Sequence, residues 1–184
     1  MPGLFLQLNA HLVHYVRDRR AMSAVEFAIL LPLMVTLYLG SVEVFRGISA
    51  KRDVTMIAHS IADLTSQYGT IHNTDMTNIL AAASAIMAPF PTGPLQATVS
   101  QLTIDNNGNA TVAWSDTLNG TALPVGSAVT VPSGPNVHNS YVILAQVRYA
   151  YDPVFGYVLT STINMSDQIY MAPRQSGGIT RASP

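Results

Sequence analysis

Glu26 is the residue best equipped for chemistry in this sequence, and it stands where an acid is least at home. It lies in "RDRRAMSAVEFAILLPLMVTLYLGSVEVFR", residues 17–46, just ahead of a run from Phe27 to Val42 that carries no charge. A carboxylate deep in a membrane helix costs roughly 2.5–3.5 kcal/mol even on permissive insertion scales, so its presence asks for a partner. The other candidates are weaker. His11 and His14 share a helix face at i, i+3, but a metal needs a third ligand and none is near. Asp105 and Asp116 end a twelve-residue window containing Asn107 and Asn109. The sixth place of a calcium loop demands Gly, whereas this chain has Ala110, and the last acid is Asp rather than Glu. A β-hairpin explains that window better. Trp114, Tyr149, Tyr151, Phe155 and Tyr157 offer a ligand-gripping aromatic patch, although aromatics at strand spacing usually belong to a core or a sheet surface.

No H-E-x-x-H, G-x-S-x-G or P-loop pattern occurs, and the chain has no cysteine. The sequence therefore predicts no catalytic residue, no metal and no cofactor, and a protein that is not an enzyme. Charged residues make up 10% of the 184, against about 25% in an ordinary soluble domain. Their distribution is uneven. Residues 1–52 hold Arg17, Arg19, Arg20, Arg46, Lys51 and Arg52 against Asp18, Glu26 and Glu43, a net of +3, while residues 53–184 hold three arginines against seven aspartates, a net of −4. An acidic C-terminal part rich in Thr, Ser and Asn excludes a nucleic-acid partner, which requires a basic face.

The elements that position Glu26 follow from hydropathy. As a helix, Ala21–Val42 is roughly 30 Å long, enough to cross a bilayer, and longer than the apolar core of a secretory signal. Three Lys/Arg flank each side, so the positive-inside count is a tie. The tight cluster Arg17, Arg19, Arg20 places the N-terminus in the cytoplasm. Pro32 lies inside the span and predicts a kink, because the carbonyl of Ala28 loses its donor. Val54, Ile57, Ile61, Leu64 and Tyr68 then recur at steps of three and four, the stripe of an amphipathic helix. One helix from about Ser23 to Gln67 accounts for both parts, with Gly69 as its stop.

A second helix is predicted with Asn73 or Thr74 as cap, Asp75 in its first turn and Ile79, Leu80, Ala83, Ile86 and Met87 on its apolar face. Pro89, Pro91 and Pro94 end it. The period then becomes two. "LQATVSQLTID" and "ATVAWSD" flank "NNGN", a tight hairpin, and a slip in alternation between Val99 and Leu102 predicts a bulge. Residues 117–139 read as a long loop with an edge strand at "AVTVP". "SYVILAQVRYAYDP" and "YVLTSTINMSDQIYMAP" read as paired strands. The expected organisation is a basic cytoplasmic leader (1–21), a transmembrane helix (22–42), its amphipathic extension (43–68), a periplasmic α+β domain with a small antiparallel sheet (69–173), and a loose C-terminal tail (174–184).

The segment 17–46 resembles the N-terminus of TadE-like proteins, minor pseudopilins of the Flp/Tad (type IVc) pilus assembly system. The shared pattern is a basic leader, a small residue, four residues, Glu-Phe, and an apolar run with Pro. The resemblance implies cleavage by a prepilin peptidase between Ala21 and Met22, with Glu26 as fifth residue of the mature chain and Phe27 beside it. Ala21 stands where the family commonly has Gly. The TadG-like group shares the AVEFA-type anchor and is usually longer. Cleavage would create an ammonium at Met22, one helical turn from Glu26. In pilin-type assembly a neighbour's carboxylate meets that ammonium, which makes Glu26 a docking register. The implied function is assembly of a pilus used in adhesion and biofilm formation. Subunits would pack along residues 22–67, with Val54, Ile57, Ile61 and Leu64 in the packing stripe. The implied partners are the prepilin peptidase, the major Flp pilin, a companion pseudopilin and the inner-membrane platform. The alternative is a periplasmic ligand-binding or adhesion module for which the helix is a simple tether.

Overall fold

The computed structural model describes residues 19–132, 138–156, 161–175 and 177–182. Helix α1 runs from Arg19 to Ser66 without interruption and passes through Pro32. Its sequence explains how. The first part is dense in Ala, Leu and Met, good helix formers, and Pro32 removes only the one donor that would meet the Ala28 carbonyl; the Thr36 hydroxyl separately donates to the Pro32 carbonyl at 2.8 Å. Every described side chain from Met22 to Tyr38 is exposed, and most are large and apolar. Met22–Ser66 is long and apolar enough to cross a membrane by length and composition.

Beyond Gly47 the same helix becomes one-sided. Ala50, Val54, Ile57, Ala58, Ile61 and Ala62 are buried. Leu64 is not: it is 37% exposed. At 100° per residue it drifts to the edge of an arc centred on Val54, Ala58 and Ile61, and Thr65 takes the inward place with its hydroxyl bonded to the Ile61 carbonyl. The helix ends at Ser66 through short-range bonds from Gln67 to Leu64 and from Tyr68 to Thr65, so termination precedes Gly69. The Gly69 carbonyl instead accepts the Thr180 N–H at 3.0 Å.

Strand β1 (Thr70–Ile71) and helix α2 (Asn73–Met87) follow. The cap of α2 is His72, one residue before the expected Asn73 or Thr74, because the Asp75 carboxylate reaches back to the His72 N–H at 2.9 Å. Met76, Ile79, Leu80, Ala83 and Met87 form its buried face, and Ile86 sits at the margin.

Five antiparallel strands make the main sheet: β2 (Leu95–Ile104), β3 (Ala110–Leu118), β4 (Ala128–Val129), β5 (Ser140–Tyr151) and β6 (Ile163–Met171), in the order β4-β3-β2-β5-β6. The hairpin between β2 and β3 is a five-residue loop rather than a two-residue turn. Asp105 spans it, accepting the Asn107 and Asn109 N–H groups at 2.8 Å each, and Gly108 alone takes a positive φ there, +83°. The bulge is real, with a register shift between Gln101 and Leu102, but the extra residue is Ala113 on β3. Along β2 the pleat never slips. What changes is which face is apolar. Leu95, Ala97 and Val99 point inward to the helices, whereas Leu102 and Ile104 point outward with Val112, Val142 and Leu144. Strand β6 begins at Ile163; the Tyr157 end of its expected range lies outside the described residues.

The larger core thus lies between one face of the sheet and the two helices, an α+β arrangement. By contact the chain divides into two compact units, one built on the helix up to Val44 with the segment that begins at Val154, the other on Phe45–Pro153 and the part from Ser161 onward.

The C-terminal segment corrects the expectation of a loose tail over 174–184. Strand β7 (Thr180–Arg181) pairs in parallel with β1. Ile179 is 2% exposed, its N–H donates to the Gln101 side chain at 2.6 Å, and its carbonyl accepts the Trp114 indole N–H at 3.1 Å. Arg181 forks onto Asp116 at 2.9 and 3.0 Å and also bonds Asn73. A lone apolar residue among glycines gave little warning, since β7 is stabilised by distant partners. Deleting residues 179–184 should therefore cost about 2–4 kcal/mol of unfolding free energy, from one buried Ile and a half-buried ion pair. Denaturant titration of the full and shortened chains checks this; a midpoint shift worth less than about 0.5 kcal/mol would mean the tail is loose after all.

Candidate functional site

Helix α1 presents two glutamates in opposite circumstances. Glu26 is exposed on an all-apolar cylinder, four residues from Met22 and therefore on the same face one turn away. Phe27 beside it is 60% exposed and Met22 65%. The Ala21–Met22 bond lies inside the first turns of the helix, which begins at Arg19. Arg17 and the His11–His14 pair lie outside the described residues. Of Arg19, Arg20 and Ala21 only the backbone is described, as helix.

Glu43 is the other glutamate, and in the sequence it counted only as a charge. It is 1% exposed. One of its oxygens accepts the Phe155 N–H at 3.1 Å and the Gly156 N–H at 3.0 Å. Two successive amides converge on the carboxylate because Gly156 has φ +64°, which turns both N–H groups to one side. The signal available in the sequence was an acid immediately beyond an apolar run, with the turn-former "DPVFG" far downstream. Nothing in spacing links them.

A second polar link joins α1 to β6. Lys51 donates to the Ser166 carbonyl at 2.7 Å and lies 3.7 Å from Asp167, which also accepts the Thr55 hydroxyl. The Thr55 hydroxyl is the main reason that the Asp167 carboxyl titrates below its ordinary value of 3.8. Partial burial opposes the shift, and the Gln168 N–H, Lys51 and His59 support it. Arg46 lies 5.7 Å from the centre of the Phe90 ring, a cation–π contact.

The remaining sequence candidates are dispersed. Asp105 is occupied by the hairpin and Asp116 by Arg181. Among the described residues no group of three His, Cys, Asp or Glu is placed to hold a metal. The aromatic patch does not form. Trp114, Tyr149 and Tyr151 are buried in the core, Phe155 is 40% exposed, and Tyr157 lies outside the described residues.

The family model described as TadE-like protein matches residues 21–63. The membrane-competent helix is TadE-like. The TadE-like stretch lies entirely within α1, starts at Ala21 and includes both Glu26 and Glu43, so it relates the chain's apolar helix to the Tad pilus system and leaves the sheet outside the match. Comparison with curated proteins and with solved structures returned no match.

Two tests follow from the carboxylates. Glu43→Ala should speed amide hydrogen exchange at Phe155 and Gly156 by about tenfold or more, since each loses a charged acceptor; unchanged exchange would mean the turn holds itself. For Asp167 the folded pKa is the lower one, so the unfolded chain binds more protons in that range. Its contribution is complete above the ordinary carboxylate value and is lost as pH falls below it. Asp167→Asn should flatten the acid limb of the stability profile, read by denaturation at successive pH values, while leaving the slope near neutrality unchanged.

Proposed function

We propose that this chain is a minor pseudopilin that helps assemble a Flp/Tad pilus, anchored once in the bacterial inner membrane with its N-terminus in the cytoplasm and its α+β part in the periplasm. The observation that carries the reading is the TadE-like match over residues 21–63, with Glu26 exposed in the middle of an otherwise apolar helix surface. The TadE-like family is structural rather than enzymatic, which supports an assembly role.

In this mechanism a prepilin peptidase cuts between Ala21 and Met22. The new ammonium at Met22 and the carboxylate of Glu26 are one turn apart on each subunit, so an incoming Glu26 meets a neighbour's Met22. An unpaired charge in hydrocarbon is costly and a paired one much less so, which makes the register selective. Packing with other subunits, the major Flp pilin and a companion pseudopilin, cannot use Val54, Ile57 and Ile61, because the chain's own core covers them. It falls instead to the outward face of the same helix, where Phe45, Ile48 and Met56 are 72%, 48% and 55% exposed at helical spacing. The inner-membrane platform completes the partner set, and adhesion and biofilm formation are the downstream process.

Mass spectrometry of the chain extracted from native membranes should give a mature N-terminus at Met22. Glu26→Gln should cut surface pili at least about tenfold at unchanged membrane abundance, the order expected for loss of one buried charge pair. Full piliation with an intact Met1, or with Gln at position 26, overturns the mechanism.

A further inference from the structure

The outer face of the sheet, away from the helices, is divided along the length of its strands. Toward one end it is apolar, with Leu102, Ile104, Val112, Val142 and Leu144 packed against Leu123, Val129 and Val131. Toward the other end the outward positions are Gln96 and Thr98 on β2 and Gln146 and Arg148 on β5, with Gln96 opposite Arg148 and Thr98 opposite Gln146. Two adjoining clefts of about 330 and 310 Å³ open here, and both are lined by Gln96 and Arg148. They fall at the small end of ligand sites, which run about 300–1,000 Å³.

The wall of the larger cleft is built rather than incidental. Asn119 takes a positive φ of 51° and its side-chain amide donates to the Leu95 carbonyl at 3.1 Å. Gly120 passes so close to β3 that a Cβ would lie 2.8 Å from the Thr117 hydroxyl oxygen, so no larger residue fits without movement. Leu123 is held by its N–H to the Ser115 hydroxyl at 3.0 Å. The floor is also ordered: the Thr98 and Thr117 hydroxyls bond at 2.9 Å, and Gln146 donates to Gln168 at 3.4 Å.

Among the described residues Arg148 is the one charged residue lining either cleft. Lys51, Arg174 and Arg181 are each in an ion pair, whereas Arg148 has no carboxylate partner among the described residues. The larger cleft is lined mainly by amides and hydroxyls, with Leu123 as its one large apolar side chain among the described residues, which disfavours a lipid chain; Pro94, Ala150 and Met165 lie in the smaller one. Among the described residues the larger cleft has no aromatic side chain on which a nucleobase could stack, and a polyphosphate would call for more than one cation. A single planar guanidinium matches one carboxylate through two parallel bonds, and the neutral donors and acceptors match hydroxyl groups. We propose that this cleft binds an acidic saccharide, with Arg148 gripping a uronate carboxylate and Gln96, Gln146 and Thr121 meeting the sugar hydroxyls. The site stands on the sheet alone and holds whatever role the helix has in assembly.

The test uses the full-length chain in phosphatidylcholine nanodiscs, titrated calorimetrically with digalacturonate, maltose and inorganic phosphate. Digalacturonate should bind, maltose should bind at least about tenfold more weakly, and Arg148→Gln should reduce digalacturonate affinity about tenfold or more. Arg148→Lys should recover only part of it, since an ammonium lacks the fork. Arg52→Gln, which removes an exposed cation on α1, should leave affinity unchanged. Because Arg148 is exposed, its substitution should leave the unfolding midpoint in place, which separates lost binding from lost folding. Equal affinity for phosphate would overturn the saccharide assignment in favour of a plain anion site. Equal affinity for maltose would overturn the role of Arg148, and absence of digalacturonate binding up to about 10 mM would overturn the site itself.

Discussion

A helix of 48 residues is apolar on every side at one end, where it is long and apolar enough to cross a membrane, and on one side at the other, so a single backbone must suit two different surroundings. Continuity of its hydrogen-bond ladder is what lets it do so. In hydrocarbon no water is available to satisfy a broken ladder, so the helix cannot end inside the span. Further along, the same ladder lets a stripe of Val54, Ile57 and Ile61 be set against the sheet at 3.6-residue spacing. The small residues Ala50, Ala58 and Ala62 are buried on the same arc, and they allow close approach to the partner surface. Leu64 falls off that arc through angular drift alone.

Some hydroxyls on the helix turn back on its own carbonyls, as Thr36 and Thr65 do, whereas several of its charged groups are met by groups remote in sequence. Glu43 takes two amides from more than a hundred residues downstream. Lys51 and Thr55 meet Ser166 and Asp167, and Asp63 meets Arg174. A buried or half-buried charge without such a partner costs several kcal/mol, so these contacts fix register more than they add stability. Glu26 is the exception. It is exposed on the apolar cylinder, and the proposed docking role rests on that contrast.

The sheet shows the same division of labour. Its inner face is mainly apolar, and the polar groups on it, Gln101, Asp116 and Asp167, are each met by the helices or the C-terminal segment that cover it. Its outer face is apolar only where the segment after β3 lies over it and polar elsewhere. The bulge at Ala113 lets Val112 face outward beneath that cover while Trp114 faces inward to Ile179.

The local periodicities by themselves determined the long helix, the second helix, the hairpin position and the main strand pair, because each depends on neighbours within a few turns or one pleat. The existence of a bulge was legible for the same reason, though its strand was not: alternation in β2 records which face is covered, and only the pairing reveals the extra residue on β3. The segment 174–184 looked loose because its order comes from Ile71, Gln101, Trp114 and Asp116, all far away along the chain. Glu43 and Arg148 were indistinguishable from ordinary charges in the sequence for that reason too. Tertiary structure alone decided that one is enclosed by backbone amides and the other stands in an open polar cleft, since burial and pairing are properties of what surrounds a side chain, not of its type.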